Sequence, residues 1–372
     1  ALVGGRPVRL DPAEVLRAVP PERRGLVEEV LGLPAVPEGT PPGALESGAR
    51  IPIALRHLVK FLECPLQGSV AFHLRLEEIE DDLLLRTDEP FELERRSLSP
   101  ILREVLLRSR RERGAPSDLL DAAALREELR GRWPTGLFGR IARQRSLKAI
   151  ETWNWSLAQV GVPADEPLRL VQFGRAVDDT AVEESLPPIV VPVEWTPSRG
   201  EPRAVEVELY GLTQPQRVES PGAITFGFGQ RPDTVQYLRG FVDHVCLSAA
   251  GRRIDRPWAA IGACYGPACA RRYRPIEPAA ATGWLSAVLA DLLAGVHAYV
   301  LPIQAVQKSH DSRGRFSPAG EARRLLGWAE SSHSSKYGPI PARRLEDFDP
   351  PDDALAARIV ERRYRLFLEG WT

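Results

Sequence analysis

Ile189-Val-Val-Pro-Val-Glu-Trp195 and Ala204-Val-Glu-Val-Glu-Leu-Tyr210 decide the fold class. Each places apolar side chains at every second position, the spacing of a strand with one buried face, and Val dominates both. Two neighbouring runs, Leu168-Arg-Leu-Val-Gln-Phe173 and Ala223-Ile-Thr-Phe-Gly-Phe228, extend the pattern, so the stretch after Pro163 predicts a sheet. Beyond it the spacing predicts a helix over 233–249, a buried strand at Trp258-Ala-Ala-Ile-Gly-Ala-Cys264 and a short strand near Arg271. A long helix follows from Pro278 to Tyr299, opened by a Pro whose missing N–H costs nothing in a first turn.

Upstream of the sheet the period is helical. From Ile51 onward Leu55, Leu58, Val59, Leu62 and Leu66 share one face, with Pro65 marking a turn or kink. Three more helices are expected at about 97–112, 117–131 and 137–160, the second N-capped by Ser117 with Asp118 in its first turn. Helices flanking a mixed sheet give an α/β fold, with α+β left open. The expected divisions are a Pro- and Gly-rich linker or docking arm (1–50), a helical part (51–162), the sheet core (163–275) and a C-terminal helical part of the same domain (276–372). One large domain and two intimate ones both suit this length.

The composition, 43% hydrophobic and 27% charged, is that of an ordinary globular protein, and no stretch approaches the ~20 apolar residues of a membrane span. A cytoplasmic location is expected. The chain begins without Met and without the pattern of a signal peptide, as expected of a piece of a longer protein. The formal charge of −1 offers no global attraction to nucleic acid, so any such contact must come from local Arg clusters. Cys64, Cys246, Cys264 and Cys269 show no CxxC spacing; reduced structural thiols and an iron–sulfur cluster are the two readings. The acidic run Glu77-Glu-Ile-Glu-Asp-Asp82 reads as a solvated loop. His244, among apolar helical neighbours, reads as structural. Neither a Walker-type loop nor a Gly-x-Ser-x-Gly elbow occurs, which removes those ATPases and serine hydrolases.

Ile53 to Leu74, IALRHLVKFLECPLQGSVAFHL, resembles the helix that opens the nuclease-like domains of RecB, AddB and RecC proteins, with its Leu-x-x-Phe-x-x-Cys-Pro pattern. Thr87-Asp-Glu-Pro-Phe-Glu-Leu93, Leu106-Leu107, Leu125-Arg-x-x-Leu-Arg-x-x-Trp-Pro-x-Gly-Leu-Phe-Gly139, Phe241-Val-Asp-His-Val-Cys-Leu-Ser-Ala-Ala250 and Leu301-Pro-Ile-Gln304 follow in the order found in the carboxyl-terminal region of the RecC family, the gamma subunits of exodeoxyribonuclease V. The resemblance spans about 51–372 and rests on that order. It implies a PD-(D/E)XK nuclease-like mixed sheet with helical additions. It also implies RecB-like and RecD-like partner subunits, and double-stranded ends and forked or single-stranded DNA as substrates of a complex that processes double-strand breaks.

A nuclease of this fold needs carboxylates to hold a divalent metal and a Lys two residues after one of them. The residues two before Lys60, Lys148, Lys308 and Lys336, the only lysines, are Leu58, Ser146, Val306 and Ser334. None is acidic. Where active relatives carry Asp-Tyr-Lys, the resemblance aligns Gly227-Phe228-Gly229, and the preceding Asp falls near Gly211 to Gln214, where no carboxylate stands. Neither a catalytic residue, a resident metal nor a cofactor is therefore expected. Glu206 and Glu208 are left as either a solvent-facing strand edge or a degenerate metal site, since residues two apart on a strand share a face. The expected function is non-catalytic DNA handling and scaffolding; a metal-dependent nuclease with a degenerate site and a protein-only interaction module are the alternatives.

Phosphates favour Arg, and single strands favour exposed aromatics. Arg271, Arg272, Tyr273 and Arg274 combine both, as do Lys308, Arg313 and Arg315 beside Phe316. Each segment reads as a DNA contact or as a solvated or subunit-facing surface. The turn between Tyr210 and Phe226, with Gln214, Gln216 and Arg217, is expected to project as a hairpin that wedges open a duplex.

Overall fold

The computed structural model describes residues 2–3, 6–7, 48, 50–75, 93, 95–175, 182–196, 202–218, 222–227, 234–252, 258–262, 269–311, 316–326 and 349–370. The chain divides into two units, Ala1–Ala44 and Leu45–Thr372. In the first, β1 (Leu2–Val3) pairs antiparallel with β2 (Arg6–Pro7); of the rest of the expected docking arm only Gly48 and Arg50 are among the described residues. The second unit carries everything below.

Its elements run β3 (Arg50–Ala54), α1 (Leu55–Glu63), α2 (Pro65–His73), α3 (Arg95–Glu112), α4 (Pro116–Leu129) and α5 (Gly136–Gln159). There follow β4 (Leu168–Arg169), β5 (Val171–Phe173), β6 (Glu184–Leu186), β7 (Ile189–Trp195), β8 (Arg203–Leu212), β9 (Gln216–Arg217) and β10 (Ile224–Gly227). The chain continues through α6 (Thr234–Ala249), β11 (Trp258–Gly262), β12 (Cys269–Arg271), α7 (Pro278–Leu293), α8 (Ile303–Asp311) and α9 (Pro318–Leu326). Last come α10 (Asp353–Ile359), a π-helical turn (Val360–Tyr364) and α11 (Arg365–Glu369). Mixed strand pairing among helices makes this an α/β fold.

The main sheet is built on β8, which pairs parallel with β3 and antiparallel with β7. Its last two residues pair instead with β5, itself parallel to β6. The change of partner falls at Gly211, whose φ of +133° is a conformation that suits only glycine. The alternation of the deciding runs is kept in space: Ile189, Val191, Val193 and Trp195 are buried against Val205, Val207 and Leu209. Among the described residues β7 pairs with β8 alone, an edge position that tolerates Pro192. The Ser286 hydroxyl of α7 donates to the free Pro192 carbonyl at 2.7 Å.

Around this sheet α1, α6, α7 and the C-terminal helices share one core with β3, β5, β7 and β8. Helices α3, α4 and α5 form a second cluster around Leu102, Leu106, Leu120 and Trp153, closed by Leu168 and Ile224 from the short strands. There β10 pairs parallel with β11 and β11 antiparallel with β12.

Helix α2 is buried along its whole length, with Pro65 as its first residue after the break at Cys64. Two of its polar side chains bond within the protein: Ser69 donates to the Leu66 carbonyl and accepts from His297 N–H, and His73 Nε2–H donates to the Leu292 carbonyl. Gly68 faces α1 so closely that a Cβ there would lie 2.2 Å from Phe61 Cα. Arg363, in the π turn, is buried against Asp291 at 2.7 Å and Tyr299 at 3.0 Å, while the Tyr364 hydroxyl donates to the Leu62 carbonyl. The C-terminal helices are thereby pinned to α1 and α7.

Three expectations are corrected. Arg50–Ala54 is a strand where the spacing from Ile51 suggests a helix; Ile51 and Ile53 point inward and the helix starts at Leu55. Helix α4 is capped by Ala115 with Pro116 at N1, and the Ser117 hydroxyl bonds Asp118 instead. Helix α7 ends at Leu293 rather than Tyr299, because Gly295 takes φ +139° and turns the chain away. The run 77–82 lies outside the described residues.

His244 is buried and His297 half-buried, and loss of solvent pushes each imidazole down to about 4, with the Arg363 charge adding to the effect at His297. Hydrogen bonds from Nε2 to the Arg274 and Asp291 carbonyls oppose the shift only in part. Both rings are therefore neutral in the folded chain and bind protons more readily when unfolded. The stability they retain is complete above the ordinary value near 6.5 and drains away as pH falls toward 4. Urea midpoints are expected to drop between about pH 7 and 4.5, and less steeply for His244→Gln. A flat midpoint in the parent chain would refute this.

Candidate nucleic-acid interface

The resemblance puts the expected place of an active enzyme's first metal-binding Asp at the carboxyl end of β8. Gly211, Leu212, Thr213 and Gln214 stand there, and the carboxylate that reaches the place comes from α6. Asp243 Oδ2 accepts from Gln214 N–H at 2.7 Å and from Gln216 Nε2 at 3.3 Å. Thr213 Oγ1 accepts from Val171 N–H. Burial pushes the Asp243 carboxyl well above the ordinary carboxylate range, against the opposing Gln214 hydrogen bond and the Arg103 charge. A single buried acid, held toward its neutral form and engaged by two N–H groups, does not fit a divalent ion. Gly227, at the end of β10, pairs with Gly262 and contributes no side chain; Gly229 lies outside the described residues.

Sequence reasoning missed Asp243. Its signal was present: an acid within Phe241-Val-Asp-His-Val-Cys246, on a helix whose neighbours are nearly all apolar.

Glu206 and Glu208 share the open side of β8. Glu206 is paired with Arg50 of β3 at 2.9 Å across the parallel ladder, in a largely exposed bridge. Among the described residues no group of His, Cys, Asp and Glu side chains could hold a metal ion. Cys64 and Cys246 are buried free thiols, the first pushed up to about 12 by burial and the second well above its ordinary value.

The expected hairpin is folded inward at its base, and residues 219–221 at its tip lie outside the described residues. Thr213, Pro215 and Gln216 are buried, β9 pairs with β4, and Gln216 closes onto Asp243. Arg217 makes a bidentate ion pair with the buried Glu166 at 3.0 and 2.8 Å and donates to the Gly161 carbonyl. Its guanidinium ties β9 to the turn after α5. Arg110 completes the same joint from α3, donating to the Pro163 and Glu166 carbonyls and to Asn154.

The Arg-rich strand splits by parity. Tyr273 is 6% exposed, packed on Phe241 and Phe367, so its ring is closed to base stacking. Arg271 is half-buried, its guanidinium 3.7 Å from the Tyr237 ring centroid. Arg272 and Arg274 face solvent. Arg271 also feels the charge of Asp311 at the end of α8, and Lys308 on the same helix is exposed. Lys308 lies 3.8 Å from Glu321. Arg313 and Arg315 lie outside the described residues.

Fold and site define a large α/β domain whose sheet-end polar groups are spent on internal hydrogen bonds and whose remaining cations stand on the surface. Residues 51–305 match the family model of the RecC C-terminal domain, and the chain belongs to that family. It is thereby part of a RecBCD-type DNA repair complex, the exodeoxyribonuclease V assembly. No curated protein matches the chain. Among the described residues no helix is long and apolar enough to cross a membrane.

Proposed function

We propose that this domain is a non-catalytic DNA-handling and scaffolding part of a cytoplasmic heterotrimeric helicase and nuclease, working beside RecB-like and RecD-like subunits on double-stranded ends and forked DNA. The observation that carries the reading is the fate of the β8 end: the carboxylate bonded there, Asp243, is committed to Gln214 and Gln216 inside the protein. The absence of an acid two residues before any of the four lysines points the same way. The fold is then a former nuclease scaffold kept for its shape. Exposed Arg272, Arg274 and Lys308 are the proposed phosphate contacts.

The test is binding and cleavage of labelled forked DNA by the chain with Mg²⁺ or Mn²⁺ across a salt series. Salt-sensitive binding without cleavage is expected, and Arg272→Glu with Arg274→Glu is expected to weaken it by about tenfold or more and to flatten the salt slope. Unchanged affinity in that double variant would remove the assigned contacts. Metal-dependent cutting would overturn the non-catalytic reading.

A further inference from the structure

Helices α4 and α5 form an antiparallel hairpin in whose register Arg143 meets Asp121 in an exposed ion pair. That register lays the first turns of α5 beside the last turns of α4, and the connection is tied by Arg132 and Trp133 N–H to the Glu127 carbonyl. The inner faces are filled by Leu120, Ala123, Ala124 and Ile150. At the outer end, however, Leu125 and Leu129 on α4 and Leu137, Phe138 and Ile141 on α5 are exposed, Leu129 to 82% and Phe138 to 49%. Single exposed apolar residues are ordinary, but five gathered at one end of a hairpin are not.

The surroundings of this island are cationic. Between residues 125 and 145 stand Arg126, Arg130, Arg132, Arg140, Arg143 and Arg145 against Glu127 and Glu128. Glu127 is buried and already shared by Arg126, Arg130 and Arg132. Even with Glu104 and Asp121, which pair with Arg126 and Arg143, positive charge is in excess.

We infer that the outer end of the α4–α5 hairpin is a docking groove for an amphipathic helix of another polypeptide, one with an apolar stripe flanked by Asp and Glu. Two adjacent helices offer ridges between which a third helix seats its own apolar positions, and the cationic rim selects acidic flanks. Duplex or single-stranded DNA would leave four aliphatic side chains wet, with Phe138 alone able to stack. A second copy would bring like charge against like. The inference deepens the scaffolding half of the function proposed above and is independent of the Arg272 and Arg274 contacts.

The experiment places a photocrosslinker in the full chain, Phe138→p-benzoylphenylalanine, irradiates cells of the natural source and maps the adduct to a peptide. The expected adduct is a segment of another polypeptide with apolar residues at three- and four-residue spacing between acidic ones. A synthetic peptide of that segment should bind the purified chain, and Leu129→Ser should weaken it at least tenfold without moving the thermal midpoint or forked-DNA affinity. Replacing the peptide's acids by amides should weaken it as much. Adducts to nucleic acid, to a second copy or to residues 1–44, no adduct at all, or a peptide indifferent to loss of its acids would each overturn the inference. Loss of DNA binding in Arg272→Glu with Arg274→Glu leaves it untouched.

Discussion

Gly68→Ala is expected to be strongly destabilising. The added Cβ would sit 2.2 Å from Phe61 Cα, 2.3 Å from Phe61 N and 2.6 Å from the Lys60 carbonyl carbon, all backbone atoms of α1. A side chain could swing away from such a contact; a helix backbone anchored by Leu58, Phe61 and Leu62 in the main core does not. Helix α2 would have to lift off α1, and every residue of α2 is buried. Overpacking with flexible neighbours costs about 1–3 kcal/mol, so a backbone clash is expected to exceed about 3 kcal/mol, a large share of the roughly 5–15 kcal/mol that holds an ordinary domain folded. Gly283→Ala is the matched control: it lies in α7 with nothing within 4 Å of its Cβ and should be neutral or stabilising by up to about 1 kcal/mol. Soluble yield and urea unfolding of the two variants measure the difference. A Gly68→Ala chain with the parent's midpoint would show that α1 and α2 do not pack this closely.

The second large effect concerns Arg217. Removing it by Arg217→Ala leaves Glu166, itself 3% exposed, without its bidentate partner, and a stranded buried carboxylate typically costs about 3–5 kcal/mol. Glu166→Gln combined with Arg217→Leu removes both charges and should recover much of that loss, since the cost lies in the stranded charge more than in the lost attraction. Forked-DNA affinity, compared at a temperature where all variants remain folded, should be unaffected. A variant that keeps its stability and loses DNA affinity would return Arg217 to the wedge role that its place in the turn suggests.

Arg217 and Tyr273 show why the site was less legible than the sheet. Period-two alternation over 189–195 and 204–210 is a local signal, and burying one face of each strand reproduces it in space. An Arg in a turn carries no such local label. Its partner, Glu166, stands 51 residues away in the chain, and whether the guanidinium meets that carboxylate or a phosphate is decided by how β9 folds onto β4. Arg271 to Arg274 lie between these cases. The segment is cationic and aromatic, but extended backbone sends Tyr273 inward and Arg272 and Arg274 outward, a division that strand alternation alone is enough to imply. Strand β3 escaped notice because its five residues, with a Pro among them, run straight into the strong helical pattern from Leu55.

The pairing of β3 with β8 also bears on how the chain is made. Arg50 and Glu206, which face each other across that ladder, are 156 residues apart. At ribosomal rates of about 5–20 residues per second, β3, with the apolar helices α1 and α2 behind it, waits roughly 8–30 s for its strand partner to be synthesised. Through that interval a helix that is buried along its whole length in the finished domain is newly made and uncovered, so this region of the nascent chain has a need of a chaperone and an exposure to aggregation if translation stalls.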